Sequence, residues 1–443
     1  MRIAGGSGRQ PSPVHRGSGI RQDGRNRGRG LGERGVNKSD SSASAAEVVV
    51  AGHICLDVIP AMHGGKPGQA IGELLVPGKL VDIGAAQLST GGAVPNTGIA
   101  LHRLGFPVKL MGKVGDDLFG EAILSILKGY GEGLTDGMIV GAGESSSYTI
   151  VINPPGVDRI FLHCTGANDT FSADDVPQAA LAGARLFHFG YPPLMRRMYE
   201  DGGAELERTL SAAKSCGLTV SLDLARPDPE SLAGQADWQA ILKRSLPHVD
   251  VFLPSFEEIL YMLRPSRYRE FSERHGTTEL LAYADGPLLS SLAEELLGMG
   301  AAVVALKLGE HGLYVRTTGS PERLRKMGLC APAAGKLESW QGKEMLAPCY
   351  RVEVAGTTGA GDCTIAGFLA GMLKGLSAEE TLLAAVGTGA FNVERADAVS
   401  GIPGWDGLQS RIAAGWPQRE TELSLPGWSR ESADGIWSPD VGK

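Results

Sequence analysis

The chain of 443 residues is too long for one minimal domain and long enough for a large α/β domain with a small accessory one. Its formal charge is −8, and residues 1–40 alone carry nine Arg or Lys against three acids, so the remainder is more acidic still, which argues against nucleic acid as a partner. Six scattered cysteines without a C-x-x-C pair argue against a disulfide framework or a zinc ribbon, and no run approaches the ~18 apolar residues of a membrane span, so a cytoplasmic protein is expected.

Residues 1–46 are rich in Arg, Gly and Ser and poor in large apolar side chains, and a disordered basic tail is expected there. Gly30, Gly32 and Gly35 match G-x-G-x-x-G by spacing alone, with no strand before them and no helix after. Order begins over residues 47–59, which read as a short buried strand running into a turn, with Asp57 at its end. A carboxylate at the carboxyl edge of a parallel strand sits where α/β sheets bind ligands and can accept hydroxyl hydrogen bonds from a polyol. Alone, it would be an ordinary turn former.

Next, Gly91-Gly92 gives close backbone access, and Pro95-Asn96 marks a helix start in which Asn96 is either a ligand group or a cap. Lys113-Val114-Gly115-Asp116-Asp117 reads as a turn whose Asp caps the following helix. Strand patterns follow at 108–114, 148–153, 160–163, 186–191, 219–223, 249–254 and 303–308, separated by helical ones. That alternation predicts a doubly wound, mostly parallel sheet with helices on both faces. Two stretches, 70–87 and 145–163, break it and read as β-hairpins, while 264–287 and 316–346 read as surface insertions.

Ser255-Phe256-Glu257-Glu258 is either a capping box or a set of hard oxygen donors suited to magnesium. Lys307-Leu308-Gly309-Glu310-His311-Gly312 ends a strand in a Gly turn. The segment 356–373 then places Gly359, Ala360 and Gly361 before an apolar helix, with Asp362 in its first turn. Such a loop is either a tight packing contact or an anion cradle at the positive end of a helix. An anion cradle beside a fixed carboxylate suits phosphoryl transfer to a hydroxyl. Finally, residues 387–392 begin a small-residue helix. No G-x-x-x-x-G-K-[ST] or G-x-S-x-G is present.

From about residue 48 to 405, the order Asp57, Gly91-Gly92-x-x-x-Asn96, Val114-Gly115-Asp116-Asp117, Glu258, Lys307-x-Gly309 and Thr357-Thr358-Gly359-Ala360-Gly361-Asp362 resembles that of the ribokinase-like, or PfkB, family of sugar and nucleoside kinases. The resemblance implies a ribokinase-like fold: a kinase domain over 47–415 with a small β-sheet lid drawn from about 58–90 and 145–165, then a C-terminal extension, 416–443. It implies ATP-dependent phosphorylation of a sugar or sugar-like hydroxyl with Mg2+. Asp362 would be the general base, and Gly359, Ala360 and Gly361 the anion hole. Asp57, Gly91, Gly92, Asn96 and Arg159 would meet the substrate, with Asn168 nearby. Lys307, Gly309, Gly312, Thr358 and Asn392 would border the nucleotide, and Glu258 would act through water on the magnesium–phosphate group.

The implied partners are a small hydroxylated substrate and ATP, with no membrane or nucleic acid, and a homodimer through the lid. A nucleoside kinase of the same fold would differ only in the lid-side pocket. A non-catalytic sugar-binding regulator would lose Asp362 or the Gly loop, and both are present. Ser255 replaces the family's Asn in N-x-x-E. Gly356 replaces the Asp that helps bind potassium in potassium-activated members, so weak or absent potassium activation is expected.

Overall fold

The computed structural model describes residues 46–62, 72, 76–153, 160–430 and 434–440. The expected basic tail, apart from Ala46, and Arg159 lie outside them.

The chain enters on β1 (Val48–Gly52), a run buried on both faces. Val48 and Val50 pack into one hydrophobic core and Val49 and Ala51 into the other. The period-2 pleat thus puts one apolar set on each side of the sheet, as a strand covered by helices on both faces requires. β2 (Cys55–Pro60) and β3 (Ala86–Gly91) leave for a second sheet, and helix α1 (Ala93–Arg103) returns the chain to β4 (Val108–Met111). β5 (Lys113–Gly115) and β6 (Ile139–Gly141) form a small parallel pair, with α2 (Leu118–Tyr130) between them. Asp117 caps α2 by accepting from the Gly120 N–H at 2.8 Å.

β7 (Tyr148–Ile152) and β8 (Ile160–Cys164) complete the second sheet, ordered β3-β2-β7-β8. β9 (Leu186–Gly190), β10 (Thr219–Leu222), β11 (Val251–Phe252) and β12 (Val303–Lys307) resume the main one. Six strands, β4-β1-β9-β10-β11-β12, run parallel. Between β1 and β9 the strand order reverses, which opens a crevice at the strands' carboxyl ends. The sheet continues antiparallel through β13 (Leu313–Thr317), β14 (Glu344–Ala347), β16 (Trp437–Pro439) and β15 (Trp428–Arg430). α3 (Phe256–Leu263), α4 (Ala360–Leu373) and α5 (Ala378–Val393) carry the rest of the site. Among the described residues, no helix is long and apolar enough to cross a membrane.

Three expectations change. Asp57 is not in a turn: the chain breaks at Gly52 (φ 125°), where a Cβ would lie 2.2 Å from the Gly190 carbonyl oxygen, and Asp57 is the third residue of a new strand. Of the expected 70–87 hairpin, the described residues 76–85 hold no strand, and β3 pairs instead with β2. The two supposed insertions are structured: 264–287 contains a helix, Pro265–His275, and 316–346 supplies β14 to the main sheet.

Candidate active site

At the crevice, β9, β10 and β12 end near the start of α4, where Tyr191, Asp223 and Lys307 lie close to Asp362. That helix begins at Gly359, held in the left-handed region (φ 73°), and no side chain caps its N-terminus. Orphan N–H groups with the helix dipole behind them form an anion site. The Ala360 N–H turns back toward the Thr357 carbonyl at 3.3 Å, so it is the least available of the three amides expected there. Asp362 is 3% exposed. Its Oδ2 accepts from Asn96 Nδ2 at 2.9 Å and its Oδ1 from the Tyr191 hydroxyl at 2.8 Å. Burial raises its pKa, only partly offset by Lys307, Asn96 and Tyr191, so the carboxylate holds a proton more readily than an exposed one.

Asn96 is therefore a partner of Asp362 and no helix cap; Gly92 occupies the cap position of α1. Tyr191 follows β9 at the crevice in the left-handed conformation (φ 65°, ψ 43°), a strained state for a bulky residue. On the other side, Lys307 Nζ pairs with the fully buried Asp223 at 2.6 Å. A Cβ at Gly361 would lie 3.8 Å from that ammonium, which sets Lys307 against the loop. Burial works to lower the Lys307 pKa, but Asp223, Glu258 and Asp362 outweigh it, so the ammonium stays charged. Burial and Lys307 push the neighbouring His188 down to about 3.

Glu258 makes the capping box: its Oε2 accepts from the Ser255 N–H at 2.7 Å while Ser255 caps α3. The box leaves Glu258 free to face Lys307, whose charge it feels. Asp223 Oδ2 is buried without a hydrogen-bond partner. One ammonium among three carboxylates, with an orphaned hard oxygen, fits a magnesium ion.

A cavity of about 640 Å³ adjoins the loop. Lys307, Gly309 and Gly312 line it on one side and Thr357, Ala360 and Gly361 on another, with an apolar wall from α5 at Val386 and Val393. Two residues expected at the nucleotide do not line it. Thr358 gives its carbonyl to Asn392 Nδ2 (3.0 Å), and the same amide reaches the Ala398 carbonyl (2.5 Å), so Asn392 ties the loop to the end of α5.

On the lid side, Asp57 lies over Gly91, where a Cβ would sit 2.3 Å from Asp57 Oδ2. Burial raises the Asp57 pKa, with Cys55 and Thr149 hydrogen bonds opposing. Gly92 (φ 100°) makes room for His53, whose ring lies 6.1 Å from that of Tyr191. Asn168 is fully buried and bonds both the N–H and the carbonyl of Ile54, at 3.2 and 2.9 Å, so it fixes the backbone where lid and body meet.

Tyr191 and Asp223 escape a reading of the sequence. Asp223 carried a usable signal, a carboxylate closing an apolar strand, the same one that singled out Asp57. Tyr191 carried none, because an aromatic residue closing a β pattern reads as core.

Residues 45–405 match the profile of the pfkB family of carbohydrate kinases. An uncharacterized sugar kinase of Archaeoglobus fulgidus is 27% identical over 305 residues, 69% of this chain and 98% of that one. A 2-dehydro-3-deoxygluconokinase of Bacillus subtilis is 25% identical over 354 residues, 76% of this chain and 90% of that one. In three dimensions, a fructokinase with bound ATP from Xylella fastidiosa superposes with a TM-score of 0.60 at 19% identity, covering 83% of this chain and 98% of its own.

Proposed function

The chain belongs to the pfkB family of carbohydrate kinases and is an ATP-dependent carbohydrate kinase; on that premise we propose that Asp362 is the base that takes the proton of the acceptor hydroxyl. The observation that carries this is the setting of Asp362: a buried carboxylate of raised proton affinity in the first turn of an uncapped helix, held by Asn96 and Tyr191. A base works best when its pKa approaches the working pH, and burial moves Asp362 in that direction. The amides of Gly359 and Gly361 and the Lys307 ammonium receive the charge of the migrating phosphoryl group, which needs preorganised donors more than covalent help.

ATP occupies the 640 Å³ cavity, its base against the α5 wall and its phosphates toward the loop. Glu258 and Asp223 would hold magnesium with the phosphates, and the ion would neutralise phosphate charge there. Asp57 accepts hydrogen bonds from the acceptor's hydroxyls under the lid, beside the open backbone of Gly91 and Gly92. Because the 2-dehydro-3-deoxygluconokinase matches over most of both chains, sugar acids belong beside neutral sugars and nucleosides in the acceptor screen.

The test is ADP release with ATP and magnesium across that panel, repeated with Asp362→Asn. The substitution keeps size and polarity but cannot take the proton. Turnover should fall by about 10²–10⁴-fold while ATP still binds. A variant that keeps more than about a tenth of wild-type kcat on the best acceptor excludes Asp362 as the base.

A further inference from the structure

We propose that His53, Cys55 and His163 form a binding site for a divalent cation of the zinc class where the lid meets the body. Their ligand atoms, two imidazole nitrogens and a thiol sulfur, lie within 4.8 Å of one another. The register of the lid sheet sets this up. Asp57, Thr149 and His163 are cross-strand neighbours on β2, β7 and β8, and Cys55, two residues before Asp57, shares its face. His53 completes the set just before β2.

His53 is 2% exposed, and neither ring nitrogen has a hydrogen-bond partner. Buried polar atoms are almost always paired, and the phosphoryl-transfer machinery does not use this ring. Thr149 Oγ1 lies 3.0 Å from His163 Nδ1, which fixes the His163 ring and leaves Nε2 as its ligand atom, the outer-shell support common to metal-binding imidazoles. Asn168 clamps Ile54 between His53 and Cys55, so the two inner ligands sit on rigid backbone. His163 is exposed and gives the ion a way in.

Two imidazoles and a thiolate select zinc or cobalt over magnesium, which takes hard oxygens. Tetrahedral ligand atoms stand about 3.5 Å apart, so the cluster closes by about 1 Å, mostly at His163 on the lid. The Cys55 thiol proton passes to solvent as the sulfur–metal bond forms. Asp57 Oδ1 lies 3.4 Å from Cys55 Sγ but outside the three-ligand group, so it would have to swing inward to become the fourth ligand. A filled site would then withdraw Asp57 from the acceptor and inhibit the kinase. This consequence rests on the reading of Asp57 given above; cation binding does not.

Cobalt(II) is the probe, added to untagged, chelator-stripped full-length protein. One ion per chain should bind with a thiolate-to-cobalt charge-transfer band, and zinc should displace it. Cys55→Ser should abolish the band, and His163→Gln should weaken binding by at least about tenfold, with circular dichroism checking that each variant folds. No band in the wild type, or one that survives Cys55→Ser, overturns the site. In the kinase assay, zinc inhibition relieved by acceptor and lost in His163→Gln supports the occlusion, and equal inhibition of both proteins overturns it. If no acceptor is found, the cobalt titration still decides the site.

Discussion

Asp362 is tuned by three neighbours, and Tyr191 allows the tuning to be read without abolishing it. The tyrosine hydroxyl donates to Oδ1 at 2.8 Å and so lowers a pKa that burial has raised. Tyr191→Phe removes that donor while leaving Asn96 and the burial in place. On the proposal that Asp362 is the base, it acts only when deprotonated, so activity is lost as pH falls through its pKa. In the phenylalanine variant that pKa rises further, and the acid limb of the kcat profile should move to higher pH. Plateau kcat should fall by no more than about 100-fold, the upper worth of one hydrogen bond to a charged group. An acid limb that stays where it is would mean that Tyr191 holds only the loop geometry. The left-handed conformation of Tyr191 is consistent with a strained residue kept for its position.

At the scale of elements, the loop before α4 is held from behind. Asn392 bonds the Thr358 and Ala398 carbonyls, and Gly359 packs where a Cβ would lie 2.8 Å from the Ala398 side chain. Gly356 is part of the same seam: a Cβ there would meet Ala396 Cα and its carbonyl oxygen at 3.0 Å and the Arg395 carbonyl oxygen at 3.1 Å. Gly356→Asp would therefore crowd backbone that must give by a few tenths of an ångström and set a carboxylate against two carbonyl oxygens. It should lower the unfolding free energy by about 1–3 kcal/mol and raise KM for ATP, because the displaced loop lines the cavity. Thermal melts and ATP titrations check this, and a variant as stable as the wild type would show that the 395–396 segment yields.

The sequence made the Gly loop legible because small residues before an apolar helix have few other uses. It left the seam hidden, since Asn392 reads as a ligand group until Thr358 and Ala398 are seen to occupy its amide. The hydrogen bond between Asn96 and Asp362 joins residues 266 positions apart, and no local pattern carries that. The parallel core strands were plain as short buried runs of β-branched and apolar residues. β13 to β16 were not, because β13 follows β12 with no α-helix between them and the other three come after a long Gly- and Pro-interrupted segment that shows no alternation with helices.

For the whole molecule, that antiparallel edge makes the C-terminal residues part of the kinase body. Trp437 pairs with Leu346, and the Trp428 ring lies 6.2 Å from that of Tyr314 in the second core. Ile436 is 3% exposed and joins the first. Ending the chain after residue 426 would remove both strands with these three side chains and uncover the surfaces under them, Leu346 and Tyr314 among them. At roughly 1.5–3 kcal/mol for each large apolar group when fully buried, the loss is at most about 4.5–9 kcal/mol, much of the stability of an ordinary domain. The shortened protein should express poorly or melt far below the full chain. Ending it after residue 415 also removes Arg419, which pairs with Glu310 at 2.7 Å on the rim of the cavity, together with Glu420 and Glu422 of the same rim. If ATP occupies that cavity, as proposed, its rim is opened directly, so KM for ATP should rise more than KM for the acceptor in whatever fraction remains folded. The proposed acceptor pocket, between the lid and α1, gains nothing from the C-terminus. A chain ending at 426 that melts within about 2 °C of the full one would show that the edge strands add little to the sheet they extend.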